Sequence, residues 1–305
     1  MEADPSAPSH SRSGSAPSRA GPLQLYLLPV TTIRRVRIWV SGARGKLGSE
    51  VCRQLVADGH EVVEADLTGA APVDLSDREA VARSLQGADA IVHCAAIPSP
   101  ENITPVRLVE INALTTFNAL EEAWTQGIRT AVLASSGSIY GTAWSPEELT
   151  VAEVPIDEDT ELRYVDPYAL TKDLLERTGQ MYARRGMQVT ALRFHWILTP
   201  TEVRRYIAEA PPEENRRNLW GYVDLAEAAR ACVLSLQPQP PAQRFETLLI
   251  AAEDTGMEQP TAELLARYSP DTAIRGDLPG TTSPYDCRRA AEIIGWNHQS
   301  RWRDR

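Results

Sequence analysis

The sequence predicts an α/β fold, a doubly wound parallel sheet with helices on both of its faces. Three observations carry the prediction. Short apolar runs alternate along the chain with longer segments of helical periodicity. The first apolar run is followed at once by a glycine-punctuated turn, Gly42-Ala-Arg-Gly45-Lys-Leu-Gly48. No internal repeat and no Cys-x-x-Cys pair points to another architecture.

The elements follow in order. Val36 to Val40 is a compact apolar strand. Ser49 to Asp58 reads as a helix with Val51, Leu55 and Val56 on one face, and Gly59 ends it. Glu61 to Asp66 is the second strand, and a helix from Asp77 to Leu85 leads to the buried strand Ala90 to Cys94. Asn112 to Gln126 is helical, Thr130 to Ser135 a strand, Tyr168 to Arg185 a long helix, and Val189 to Arg193 a strand. Pro167 suits the first turn of the long helix, where its missing N–H costs nothing. Strands alternating with helices imply βαβ units.

Composition excludes several classes. The 305 residues carry 31 basic and 41 acidic side chains, a net charge of −10, and 43% are hydrophobic. A full core is available, and the acidic balance argues against a nucleic-acid partner, which needs a basic face for the phosphates. No apolar run approaches the ~20 residues that span a bilayer, so no membrane partner is expected. Four well-separated cysteines exclude a zinc ribbon or disulfide scaffold and suit a reducing, cytoplasmic setting. No His, Asp or Glu spacing suggests a metal site. Residues 1–32, Ser/Pro/Ala-rich over their first two-thirds, read as a disordered extension; the following Leu23 to Val30 is short, contains Gln24 and lacks a small-x-small cleavage site. Only two of the basic residues are lysines, Lys46 and Lys172, so a lysine at a demanding position is a meaningful coincidence.

The glycine turn lies between a strand and its helix, as a pyrophosphate site requires. Gly42 permits the tight turn, Gly45 lets phosphate approach the backbone, and Gly48 lets helix and strand pack closely. The helix N-terminus offers unpaired N–H groups and a positive dipole end. Arg44, Lys46 and Leu47 between the glycines join the expected cofactor contacts. Asp66 closes the second strand 24 residues after Gly42, near the offset of a carboxylate that binds a ribose diol. That carboxylate favours NAD, because it repels a 2′-phosphate; Arg44 keeps NADP open, because a guanidinium pairs with one.

Tyr168 and Lys172 stand four residues apart at the start of the long helix and share a face. A free phenol titrates near ~10, too high for a base at neutral pH, and a neighbouring cation is expected to lower it. Ser136, with Ser135 and Ser138 as rivals, follows a strand end, where α/β sheets bind ligands. It is the candidate donor to a substrate oxygen. His93 reads as buried and hydrogen-bonded, and His195, in Arg-Phe-His-Trp, and Ser138 are candidate substrate contacts.

Taken together these residues resemble the extended short-chain dehydrogenase/reductase family, also called the NAD-dependent epimerase/dehydratase family. The set comprises Gly-x-x-Gly-x-x-Gly, Asp66, Asp74-Leu75, His93-Cys-Ala-Ala96, Asn112, Ser-Ser-x-x-x-Tyr-Gly, Tyr-x-x-x-Lys, Leu192-Arg193 with Pro200, Gly221 to Ala226, and Ala290 to Trp296. The resemblance implies a Rossmann-type core over 33–200, a small C-terminal substrate lobe with returning core elements over 201–305, and a homodimer pairing long helices. It implies Tyr168 as acid/base, Lys172 as tuner of Tyr168 and holder of the nicotinamide ribose, and Ser136 as orienter of the reacting oxygen. Asp74 and Leu75 would contact adenine, the backbone at Ala95 and Ala96 would line the cofactor, and Asn112 would support the lysine and a relay water. Two departures stand out: Thr199 where glycine is frequent, and Trp196 where asparagine is.

Only about twenty residues, without a glycine, separate Pro200 from Trp220, little surface for a nucleotide diphosphate. The expected activity is therefore NAD(P)-dependent oxidoreduction of a small sugar-like or uronate-like molecule. Epimerisation or dehydration with transient hydride transfer, and a non-catalytic dinucleotide sensor, are the alternatives. Arg204, Arg205, Arg216 and Arg217 offer a carboxylate partner or a solvated face.

Overall fold

The computed structural model describes residues 35–145, 150–209, 211–238 and 244–304; the extension expected over residues 1–32 lies outside them. Residues 35–305 form one unit. In chain order its elements are β1 (Arg37–Ser41), α1 (Lys46–Ala57), β2 (Glu61–Ala65), α2 (Arg78–Ser84), β3 (Ala90–His93), α3 (Pro105–Thr125), β4 (Thr130–Ser136), β5 (Glu153–Val154), α4 (Pro167–Arg184), β6 (Gln188–Phe194) and β7 (Ile197–Leu198). There follow α5 (Pro200–Glu209), β8 (Val223–Asp224), α6 (Leu225–Leu234), β9 (Phe245–Ile250), α7 (Thr261–Tyr268), β10 (Ala273–Ile274) and α8 (Arg288–Ile294).

Six strands form a wholly parallel sheet in the order β2-β1-β3-β4-β6-β9. The central strands β1, β3, β4 and β6 alternate between two buried faces, which are therefore mostly apolar, while edge strand β2 exposes Glu61 and Glu64. Ile38, Val40, Val92, Val132 and Leu192 pack against α1, α6 and α8 through Val51, Leu55, Ala228, Cys232 and Ile294. Trp39, Ile91, Leu133 and Val189 point the other way, onto α2, α3 and α4 through Val81, Leu120, Leu175 and Tyr182. The strand order reverses between β1 and β3, and ligands of open α/β sheets bind beyond the strand ends at such a reversal. A third apolar cluster, including Ile139, Tyr140, Tyr206, Trp220, Leu265 and Tyr285, lies beyond those ends. Among the described residues no helix is long and apolar enough to cross a membrane.

Helix starts follow local chemistry. The Asp77 carboxylate caps α2 by accepting from the Glu79 and Ala80 amides, and Asp166 caps α4 by accepting from Ala169 N at 2.9 Å. Two helices start earlier than their periodicity indicates. α1 begins at Lys46 rather than Ser49, because extended Gly45 is its N-cap. α3 begins at Pro105 rather than Asn112, behind a Thr104 cap with proline at the first helical position. The last core strand, β9, has no counterpart in the expected elements.

Candidate active site

The glycine turn sits at the reversal. Gly42 has φ +63°, and a Cβ there would stand 2.8 Å from the Ala95 Cα and N at the end of β3. A Cβ at Gly48 would fall 2.1 Å from the Gly42 carbonyl oxygen. The turn is thus fixed by close backbone approach. The first turn of α1 holds no acidic residue, and Gly45 offers no side-chain cap. The N–H groups there keep their capacity for an anion, with Leu47 packed behind them on the core.

Asp66 faces this turn from the end of β2. Its carboxylate accepts from Arg44 N at 3.0 Å and from Thr68 N and Oγ1 at 3.1 and 3.0 Å. Partial burial pushes the carboxyl pKa up, but these hydrogen bonds and the Arg44 charge outweigh it and hold the group below the usual range. The Arg44 side chain pairs with Glu64 at 3.2 Å. The guanidinium that kept NADP open therefore already carries an anionic partner. Asp74 is tied into a local turn by Ser76 N and Oγ at 2.8 and 2.7 Å, and Asn118 Nδ2 holds the carbonyl of buried Leu75 at 2.9 Å. These contacts, with the glycine cradle, fit a dinucleotide.

Beyond β3, Ala95 and Ala96 are half-buried, and the Ala95 backbone lies against Gly42. Asn112 clamps this stretch: Oδ1 accepts from Ile97 N at 2.8 Å, and Nδ2 donates to Ile97 O at 3.1 Å and Thr171 Oγ1 at 3.2 Å. The Lys172 ammonium donates to Ala134 O at 2.7 Å. His93 is buried between Ser41 Oγ at 2.8 Å and Thr116 Oγ1 at 3.2 Å, and burial with the Lys172 charge draws its pKa down to about 3. It is a neutral connector of β1, β3 and α3.

Tyr168 and Lys172 do share one face of α4, with the ammonium 5.5 Å from the phenol ring centre. The Ser136 hydroxyl lies on the phenol side of the site and favours its ionised form. Burial nevertheless pushes Tyr168 up to about 12, with Ser136 opposing and Asp166 adding. Burial also pulls Lys172 down to about 8. The expected lowering of the phenol by its cation is therefore not found: desolvation of the phenolate wins.

The three serines separate cleanly. Ser135 Oγ turns away to Glu176 at 2.6 Å. Ser136 caps the 3-10 turn Gly137–Tyr140 by accepting from Ser138 N at 3.1 Å. The Ser138 hydroxyl is buried with no hydrogen-bond partner among the described residues. His195 is held by its Nε2, which donates to Asn218 O at 3.0 Å, and by the Tyr285 ring at 4.4 Å; its Nδ1 lies beside Gly137. Burial pulls its pKa down to about 4, against the Asn218 carbonyl. The same carbonyl accepts from Tyr285 Oη at 3.0 Å. It is presented by a backbone in which both Leu219 and Trp220 have positive φ, 46° and 57°. Among the loop arginines, Arg217 donates to Ser145 O at 2.7 Å and Arg216 pairs with Glu213 at 3.3 Å.

Beneath the site the Glu176–Arg193 ion pair, 2.8 Å apart, is buried on both sides. Arg193 also reaches Tyr140 Oη and the Glu158 carbonyl. Glu176 follows Lys172 by four residues, so its place on the face of Tyr168 and Lys172 is readable as spacing. Asn218 and Tyr285 carry no such signal, because the turn that joins them to His195 is tertiary. The Lys46 ammonium reaches out of the glycine turn to Glu202 Oε2 at 2.7 Å and Ile197 O at 2.9 Å.

Comparison with known proteins agrees with this geometry. The profile of the NAD dependent epimerase/dehydratase family matches residues 38–238. An L-arabinose 1-dehydrogenase (NAD(P)(+)) from Haloferax volcanii is 30% identical over 184 residues, 57% of this chain and 72% of that one. A UDP-glucose 4-epimerase from Lactobacillus helveticus is 28% identical over 176 residues, 52% of this chain and 51% of that one. The chain thus spans about half the length of that epimerase. Among solved structures, a short-chain dehydrogenase/reductase superfamily protein from Agrobacterium tumefaciens with bound NAD superposes with TM-score 0.65 at 22% identity, covering 88% of this chain and 94% of its own. The UDP-glucose 4-epimerase of Thermotoga maritima gives TM-score 0.64 at 19% identity, covering 87% and 94%.

Proposed function

The chain belongs to the NAD dependent epimerase/dehydratase family, and from that premise we propose that it is an NAD-dependent oxidoreductase of a small sugar-like or uronate-like hydroxyl or carbonyl compound. The observation that carries this reading is the meeting of Tyr168, Lys172 and Ser136 at the carboxyl end of β4, in the same sheet whose β1 end carries a turn shaped for phosphates. A bound nicotinamide supplies or accepts the hydride. The chain's own residues handle the proton. The protonated Tyr168 phenol gives its proton to a carbonyl oxygen during reduction; in the oxidation direction the Tyr168 phenolate takes the hydroxyl proton as the hydride leaves the carbon. Ser136 donates a hydrogen bond to that same oxygen. Lys172 supplies a fixed positive charge and, through Ala134 O, a fixed position. Asp66 takes the ribose hydroxyls, which supports NAD over NADP.

Three observations support a substrate without a nucleotide. Trp196 places an indole at the wall where the resemblance expects a polar asparagine, and it meets Tyr206 edge-on at 4.6 Å. Arg216 and Arg217 are already engaged. The L-arabinose dehydrogenase relative acts on a free sugar by its name. On this reading Ser138 and His195 contact the substrate. The epimerase relative keeps a second reading open, in which the hydride returns to the substrate.

The test is a panel of free sugars, uronates and UDP-sugars followed at the NADH absorbance. Net NADH from a free sugar or uronate supports the proposal. Isomerised product without NADH favours the epimerase, and turnover restricted to UDP-sugars contradicts the small substrate.

We further propose a homodimer through α3 and α4. Val106, Leu114, Phe117, Leu170 and Met181 stay exposed on these adjacent helices, an apolar stripe that a second copy would cover. Four unbridged cysteines suit a cytoplasmic protein.

A further inference from the structure

Of the two lysines in this chain, Lys172 has a place in the proposed chemistry and Lys46 does not. Lys46 opens α1 inside the glycine turn, yet its side chain crosses to a segment 156 residues away. There it meets Ile197 O at the first residue of β7 and Glu202 in the first turn of α5. Glu202 is built to receive it. The same Oε2 atom accepts from Thr199 N at 2.7 Å and Thr199 Oγ1 at 2.9 Å. Burial opposes the charged form, but the hydrogen bonds of Lys46 and Thr199 and the Lys46 charge pull this carboxyl down to about 2. One turn further along α5, Tyr206 packs on Trp196, the residue just before Ile197. A continuous chain of contacts thus runs from the phosphate turn through Glu202 and α5 to the indole at the proposed substrate wall.

An ammonium has three donors, and two of Lys46's are engaged with the α5 side of the site. The third remains for an anion held at the N-terminus of α1. We propose that Lys46 is a positioning residue that tethers α5 to the phosphate turn through Glu202, so that dinucleotide occupancy and the order of the Trp196–Tyr206 wall are linked. An anion that fixes Lys46 fixes α5, and an ordered α5 holds Lys46 ready for the anion; linkage makes the effect reciprocal. The pair is half-exposed, with side chains 42% and 36% accessible, so its worth to global stability is small. Its role is registration. The inference rests on the reading that a dinucleotide occupies the crevice.

Amide hydrogen exchange of the full chain with and without NADH separates the two claims. In the wild type NADH slows exchange in the glycine turn and, by ~fivefold or more, in α5. In Glu202→Gln the glycine turn is still protected, while the α5 protection is lost. Lys46→Gln likewise loses the α5 protection, and the double variant adds nothing further. A merely structural pair would raise α5 exchange equally with and without NADH. Equal α5 protection in wild type and Glu202→Gln overturns the tether and leaves the dinucleotide reading standing. Absence of protection at the glycine turn itself overturns both.

Discussion

Lys172 stands 5.5 Å from the centre of the Tyr168 ring, yet donates its hydrogen bond to the Ala134 carbonyl and not to the phenol. The helix places the two groups together, and the sheet end holds the ammonium still. Both are buried, and burial moves each toward its neutral form, the phenol up to about 12 and the amine down to about 8. Proximity alone therefore does not make Tyr168 a base in the free protein; it stands ready as a proton donor.

That state is directly visible. In the absence of NAD, the ultraviolet difference between wild type and Tyr168→Phe is expected to show no phenolate signal from pH 7 to 10. A phenolate appearing near pH 8 would mean that the Lys172 charge outweighs burial.

Gly48→Ala probes the phosphate turn. Its new Cβ would lie 2.1 Å from Gly42 O and 2.7 Å from Gly42 C, both backbone atoms, so the turn must shift. The variant should lose about 1–3 kcal/mol of stability and bind NAD at least ~10-fold more weakly, a change of about 1.4 kcal/mol. Urea titration and calorimetry measure the two effects.

Cofactor choice should follow charge at the end of β2. Asp66 faces the turn, and Glu64 engages Arg44. Replacing both in Asp66→Ser/Glu64→Gln removes two negative charges and frees the guanidinium for a 2′-phosphate. The ratio of NADP to NAD affinity should rise by ~10-fold or more, about 1.4 kcal/mol, read by quenching of protein fluorescence.

His195 makes stability depend on pH. Burial holds its folded pKa at about 4, below its ordinary 6.5. Between those values the unfolded chain takes up a proton that the folded chain refuses. Stability therefore falls as pH falls through that window, by about 1.4 kcal/mol per pH unit, and is unaffected by this group above it. His195→Gln should flatten the pH 6.5 to 4.5 slope of the urea-unfolding free energy by about that amount. His93, the buried carboxyls and the other titrating groups remain in both proteins and cancel in the difference.

Much of this architecture is legible in the sequence. Val36 to Val40, Ala90 to Cys94 and Thr130 to Ser135 read as strands because a parallel sheet buries both faces. The glycine spacing, Asp66, and the four-residue step from Tyr168 to Lys172 depend only on local geometry. β9 was missed because Phe245–Ile250 pairs with β6 across a separation no local pattern reports. The start of α3 is set by the Thr104-Pro105 cap, a local signal that the apolar periodicity from Asn112 onward does not contain. His195's setting was hidden for another reason. Its partners are a carbonyl 23 residues on and a tyrosine ring 90 residues on, brought in by the left-handed Leu219–Trp220 backbone. The pKa of Tyr168 was misread because spacing along a helix says which groups meet, and only packing says how dry they are.

The most direct test of the central claim is Tyr168→Phe assayed on whichever free sugar or uronate the wild type oxidises, alongside its NAD affinity by calorimetry. Turnover should fall by ~10²-fold or more, with NAD affinity within ~3-fold of wild type, about 0.6 kcal/mol. Wild-type turnover in that variant would contradict the account.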